Sequence, residues 1–395
     1  MMQKTVRELR QDAAELLRQI CNSEEAVWPK QGSLTADIFF REASAQGLAP
    51  LLFRKLTAQK GGGWPAELLA RLREASLRLA AAELLLEADL RSLLASLAGI
   101  GVRPLLLKGT ALAYSLYPEP WLRPRCDTDL LIPEADRDKT DSLLLRLGCA
   151  ALHEAAADGI NAQMSWSRRR QGLDCRYDIH WRISNASGRF SRAFADEHLF
   201  ARAAAVPALG EHARTLSKTD ALLFACFHRA GHFSHSGDRL VWLHDLHLLC
   251  QSLTEEDAAA CCSQAEELEI STLCADGLKT AAFWFGTVFP AGLAPLFKAK
   301  ERNGEAFAVL LQEGRQAGIA SHALLELKGL PTWRGRLRFM WQNIFPPAEY
   351  MLWRYGAKRK SALPLLYAKR TAEVLLVIMN ISKNILRRVR ITNQP

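Results

Sequence analysis

No two of the nine cysteines stand at Cys-x-x-Cys spacing. Cys21, Cys126, Cys149, Cys175, Cys226, Cys250, Cys261, Cys262 and Cys274 are scattered and odd in number. That pattern offers neither a thiolate zinc site nor a disulfide framework, and suits a reducing cytoplasm. No run reaches the roughly 18 apolar residues that a membrane-crossing helix needs. The opening MMQKTVRELRQDAAELL lacks the apolar core of a secretion signal, so a cytoplasmic protein is expected. Acidic residues are scarce at the other end: from Arg354 onward there are ten Lys or Arg and one acid, Glu373. Much of the net charge of +9 is therefore a property of the tail. Internal repeats and low-complexity segments are also missing.

What is present is ordinary in bulk and unusual in one place. The chain has 395 residues, 49% hydrophobic and 24% charged, enough for two or three domains with a real core. Its positive charge favours an anionic partner: a nucleotide, a nucleic acid or an acidic membrane surface. Residues 1 to 100 carry Leu and Ala at helical spacing, most clearly from Pro65 to Leu97. The texture then changes. Leu105 to Leu107 is a short apolar run of buried-strand type, and Thr110 to Tyr117 reads as a helix. Asp129 to Ile132 is a second strand and Glu134 to Leu147 a charged helix. Ala162 to Ser167 and Leu173 to Ile183 are expected as later strands, with Arg168-Arg169-Arg170-Gln171-Gly172 as a basic turn between them. From about residue 190 the pattern is helical again, with Thr219 as a cap for a helix through Arg229 and another helix from Leu240 to Leu249. Helical patterning runs to about Leu327, and residues 331–395 form a basic, aromatic-bearing tail.

The unusual place is LLLKGTALAYSLYPEPWLRPRCDTDLLIP, residues 105–133. Side chains alternate along a strand, so Asp127 and Asp129 share a face, roughly 6.5 Å apart along the chain. Two like charges on a buried or half-buried face are costly unless a cation sits between them. Oxygen ligands suit magnesium, and a pair of ions would clamp both the attacking and the leaving oxygen of a phosphoryl-type transfer. Such a site wants a third carboxylate on a neighbouring strand. Asp178, between Tyr177 and Ile179, is the candidate; His180 falls on the same face and would orient an acid or act as a base. Gly109 permits close backbone approach to a phosphate, and the following helix offers free N–H groups. Thr110 adds a hydroxyl, Lys108 a point charge, and Arg123, with Arg125, a bidentate donor.

Residues 107–112, the Leu122-Arg123-Pro124 turn, the Asp127-Thr128-Asp129-Leu130-Leu131 stretch and the later YDIHWRI and FHRAGHFSHSGDRLVWLHDLHLL segments together resemble the uncharacterised bacterial nucleotidyltransferase family of the polymerase-β-like superfamily. The similarity spans about residues 60–360. It implies an α+β fold: a small mixed β-sheet nucleotidyltransferase palm flanked by N-terminal and C-terminal helical domains. It also implies metal-dependent transfer of a nucleoside monophosphate from an NTP, ATP being the expected one, to an acceptor hydroxyl. The Lys before Gly-Thr departs from the superfamily's usual Gly-Gly or Gly-Ser turn, and the gap from Gly109 to Asp127 is long.

The expected division is an N-terminal helical region at 1–100, the palm at 101–200, a helical domain closing the cleft at 201–330 and the basic tail at 331–395. In the proposed site Asp127, Asp129 and Asp178 hold two Mg2+ ions, and Lys108, Gly109, Thr110 and Arg123 hold the nucleotide. His228, His232 and Asp245, with His180, are candidates for the cleft wall or acceptor side. A zinc site among the histidines and simple polar pairing between helices are the competing readings of that cluster. The acceptor, small or macromolecular, is open. The tail could dock on the protein or touch the inner face of the membrane. The alternative function is a non-catalytic module that binds nucleotide, RNA or a membrane surface.

Overall fold

The computed structural model describes residues 6–22, 26–29, 34–58, 63–152, 163–183, 196–231, 238–298, 332–346, 348–357 and 359–376. Four helices come first: α1 (Val6–Asn22), α2 (Ala36–Ala45), α3 (Ala49–Ala58) and α4 (Ala66–Gly99). Thr35 caps α2 by accepting from the Ile38 amide. Pro65 directly precedes α4, where its missing N–H costs nothing, and Gly101 just past its end has φ +75, a backbone that glycine adopts freely.

The sheet has seven strands: β1 (Leu105–Leu107), β2 (Thr128–Leu131), β3 (Ala150–Ala151), β4 (Gln163–Arg170), β5 (Leu173–His180), β6 (Ala204–Ala205) and β7 (Arg214–Thr215). Their order is β3-β4-β5-β2-β1-β7-β6. The β2–β5 and β1–β7 pairs are parallel and the others antiparallel, so the sheet is mixed. Two helices interrupt it early, α5 (Lys108–Ser115) and α6 (Arg137–Arg146). The chain continues through α7 (Asp196–Ala201), α8 (Lys218–Gly231), α9 (Leu240–Ser252), α10 (Glu255–Glu267) and α11 (Ser271–Phe285). Shorter helices follow at Ala294–Lys298, Trp333–Ile344 and Ala348–Arg354.

Strand alternation explains why β1 is wholly apolar. Leu106 points into a core with Leu90, Leu93 and Leu97 of α4, Leu144 of α6, and Tyr177 and Ile179 of β5. Leu105 and Leu107 point the other way, into a core shared with Leu17, Phe39 and Leu52 of α1–α3 and with Leu222, Leu243 and Leu278 of α8, α9 and α11. Both faces are covered, so both parities are apolar. The first three helices and the later ones thus pack into one helical core on one side of the sheet.

Several expectations shift. The helix expected from Thr110 starts at Lys108, immediately after β1. A 3-10 turn, Glu134–Asp136, takes the first residues of the expected charged helix. Strand β4 runs on through Arg170 and leaves only Gln171 and Gly172 as the turn. Both have positive φ, 47° and 85°, the geometry of a tight two-residue hairpin. Arg168 is consequently not a solvated tip: it is 5% exposed and paired with Asp89 of α4. Ser217, not Thr219, caps α8, accepting from the Asp220 amide at 3.1 Å. The expected helical stretch at 299–331 and the end of the tail, 377–395, lie outside the described residues.

Candidate active site

The register of β2 on β5 sets Asp129 beside Asp178. These parallel strands lie at the middle of the sheet, and Leu130 of β2 with Tyr177 and Ile179 of β5 face the core against α4, which leaves Asp129, Asp178 and His180 together on the other side. Asp129 is 4% exposed. Its Oδ1 accepts from Lys108 Nζ at 2.6 Å and from His180 Nε2 at 2.9 Å. A carboxylate only accepts, so the His180 proton sits on Nε2. Burial opposes ionisation of Asp129, but the Lys108 ammonium and the His180 bond outweigh it and hold the carboxyl well below its usual range.

Asp178 is half-buried. Its Oδ1 accepts from Ser165 Oγ at 2.6 Å and its Oδ2 from Gln163 Nε2 at 3.3 Å, both donors on the adjacent β4. Asp127 stands one residue before β2, with its side chain exposed at the lip. Desolvation by the crowded rim and then the charges of Asp129 and Asp178 push its carboxyl up, against the pull of Lys108 and Arg123. Three carboxylates converge here.

Donor atoms of Asp129, Asp178 and His180 all lie within 4.8 Å of one another, a cluster able to hold a metal ion. Hard carboxylate oxygens, with an imidazole already serving one of them, fit a divalent cation. Among the described residues Lys108 is the cation paired with this cluster, Arg123 being paired with Asp245, and the surplus of negative charge points the same way.

The Lys-Gly-Thr turn lies against this cluster. Lys108, the first residue of α5, has φ +49. Thr110 is buried and donates its hydroxyl to the Asp127 carbonyl at 3.3 Å, tying the turn to the lip. Gly109 is a glycine because of Arg123: a Cβ there would stand 2.3 Å from Arg123 Nη1 and 2.9 Å from its Cζ. Arg123 is itself buried and forks onto Asp245 of α9, Nε to Oδ1 at 3.2 Å and Nη2 to Oδ2 at 2.7 Å. Its Nη1 also donates to the Pro124 carbonyl at 3.2 Å. Tyr117 donates to Asp245 Oδ1 at 2.8 Å, so His244 Nδ1–H must be the donor in its 3.0 Å contact with the Tyr117 oxygen. Burial, then His247, Arg123 and Lys55, push the His244 pKa down to about 3, and the ring is neutral.

Lys108, Arg123, His228, Trp242 and Asp245 line one cavity together with Phe224 and Thr215. The structure thus brings His228 and Asp245 to the same cleft as Lys108. His228 stands edge-on to Trp242, ring centres 5.6 Å apart. His232 lies outside the described residues. His247 bonds Thr287 Oγ1 at 2.9 Å, and among the described residues the histidines of α8 and α9 form no metal-ligand cluster.

Sequence reasoning missed Gln163, Ser165, Tyr117 and Glu83. Glu83 of α4 accepts from Arg125 Nη2 at 2.8 Å and from Tyr114 at 2.7 Å. Arg125 in turn donates to Thr128 Oγ1 at 2.6 Å and so anchors the Asp127 loop. One signal was available: Ser76, Glu83, Leu90 and Leu97 recur every seven residues on the buried stripe of α4, and an acid there needs a partner.

A mixed sheet that pairs Asp129 with Asp178, set against a helix-starting turn and flanked by helices, defines an α+β nucleotidyltransferase. Residues 33–286, more than half of the chain, match the family described as uncharacterised nucleotidyltransferase, and the chain belongs to that family. No curated protein matches it.

Proposed function

We propose that this protein transfers a nucleoside monophosphate from an NTP, ATP first, to an acceptor hydroxyl and releases pyrophosphate. One observation carries the proposal: Asp129 and Asp178 lie side by side on parallel strands with Asp127 at the lip, and Lys108 alone cannot neutralise them. Asp127, Asp129 and Asp178 would hold a divalent ion, magnesium by its preference for oxygen and phosphate, and that ion would neutralise charge on the triphosphate. His180 fixes Asp129 by donating to Oδ1. The free N–H groups of Gly109 and Thr110 at the start of α5, with Lys108, receive the phosphates. Arg123 shapes this turn from behind, with its charge directed at Asp245.

The acceptor oxygen attacks the α-phosphorus and gives its proton to Asp178. The bond from the α-phosphorus to the bridging oxygen breaks, and that oxygen leaves with the electron pair as pyrophosphate. Positioning and charge neutralisation supply the rate. Residues 101–200 then act as a polymerase-β-like palm, while 201–330 close the cleft and offer the His228–Trp242 wall to the acceptor. The scattered free thiols fit the cytoplasm. Among the described residues no helix is long and apolar enough to cross a membrane; a peripheral membrane contact through the basic tail is part of the proposal.

The test incubates purified protein with magnesium, cell extract and each NTP labelled at the α-phosphate, beside an Asp127→Ala/Asp129→Ala control. Label reaching a protein, an RNA or a small molecule only with intact aspartates supports the reading and gives the acceptor class. Nucleotide binding without transfer would favour a binding module instead.

A further inference from the structure

Asp129 stands between two unlike neighbours. On the β5 side is Asp178, open towards the cleft; on the β1 side is Lys108, one residue past Leu107, the register partner of Asp129. The ammonium reaches Asp129 Oδ1 at 2.6 Å, and that same oxygen also takes the His180 bond at 2.9 Å. A carboxylate oxygen has about two lone-pair sites, so Oδ1 is full and Oδ2 remains. In a two-ion site a shared carboxylate faces two cations about 3.5–4 Å apart, most simply with one on each oxygen. Lys108 is also held in left-handed backbone, φ +49, which an L-residue rarely adopts without a structural demand. Its side chain is 22% exposed, so it is largely enclosed where it meets Asp129 and is no mobile surface lysine.

Resting on the nucleotidyl-transfer reading above, we propose that Lys108 is a built-in cation that fills the place of one of the two ions, so that the site takes a single divalent metal. One divalent ion and one ammonium together match the charge of Asp127, Asp129 and Asp178. Lys108 is the first residue of α5 and its ammonium rests on Asp129, so it stands between that carboxylate and phosphates received at the helix start, as a second ion would. This departs from the pair of magnesium ions that the Asp-x-Asp pattern suggests.

The test counts ions. Full-length protein is dialysed to equilibrium against Mn2+ with each of the four α,β-methylene NTP analogues, and free Mn2+ is read by electron paramagnetic resonance on both sides of the membrane. Wild type is expected to hold one Mn2+ per chain in excess of the protein-free side, Lys108→Arg one, and Lys108→Met two. Circular dichroism confirms that each variant is folded. Two ions in wild type would overturn the built-in cation and leave nucleotidyl transfer standing. A count of one in folded Lys108→Met would do the same. No ion and no analogue bound by wild type would overturn both.

Discussion

Tyr177 and Asp178 are neighbours on β5 and face opposite sides of one sheet. Behind it, Asp89 of α4 is 8% exposed and meets Arg168 Nε at 3.0 Å, Arg170 Nε at 3.3 Å and the Tyr177 hydroxyl. One carboxylate there has two guanidinium groups and a phenol. In front, three carboxylates share one ammonium and one imidazole. Each cluster centres on a buried carboxylate, Asp89 behind and Asp129 in front, so burial does not tell them apart. Charge balance does. In the rear cluster the buried carboxylate is answered by Arg168 and ties α4 to the sheet; the front one lacks positive charge and is built to receive it. A buried charge matched by protein groups reads as architecture, and a surplus reads as a site.

That contrast can be broken from either side. Asp178→Asn should lower nucleotide transfer by roughly 10²–10³-fold, the scale of losing one preorganised charge, while the denaturant midpoint barely moves. Rates of label transfer and a urea titration on the same preparation check it. Arg168→Ala should do the reverse. It leaves buried Asp89 with only the more exposed Arg170 and the Tyr177 hydroxyl and should cost up to about 3–5 kcal/mol of stability, with activity per folded molecule near wild type. Equal losses of stability in both variants would erase the distinction.

A smaller effect concerns the turn. Gly109→Ala puts a methyl where Arg123 Nη1 now lies, so the guanidinium must shift off Asp245 or α5 must move. Overpacking of this kind costs about 1–3 kcal/mol, and KM for the nucleotide should rise several-fold with it, read by steady-state kinetics. Another effect is in pH. His244 is neutral in the fold, with a pKa near 3 against an ordinary 6.5. The unfolded chain therefore binds the proton first, and the stability His244 contributes is complete above 6.5 and declines as pH falls towards 3. His244→Gln should flatten a plot of urea midpoint against pH within that window.

The acids were legible because strand alternation is a local rule. Asp129 and Asp178 come together on paired strands, and the apolar parity of β1 follows the same rule, whereas Asp127 falls one residue before β2 and outside the alternation that grouped it with Asp129. The partners were not. Asp245 answers Arg123 from 122 residues away, Asp89 answers Arg168 from 79, and Glu83 answers Arg125 from 42. No periodicity encodes such pairings, so Arg168 read as a hairpin tip and Arg123 as a free phosphate ligand. The left-handed backbone of Lys108 also has no sequence signature, because Gly109 beside it would have been the expected residue for that conformation.

The central claim is that the β2–β5 carboxylates carry out attack at the α-phosphorus. It is tested most directly by giving the protein magnesium, cell extract and one NTP in two parallel labelled forms, at the α- and at the γ-phosphate. The account predicts that α-label becomes attached to an acceptor while an equal amount of γ-label leaves as pyrophosphate, both abolished in Asp178→Asn. Attachment of γ-label with release of a nucleoside diphosphate would contradict it.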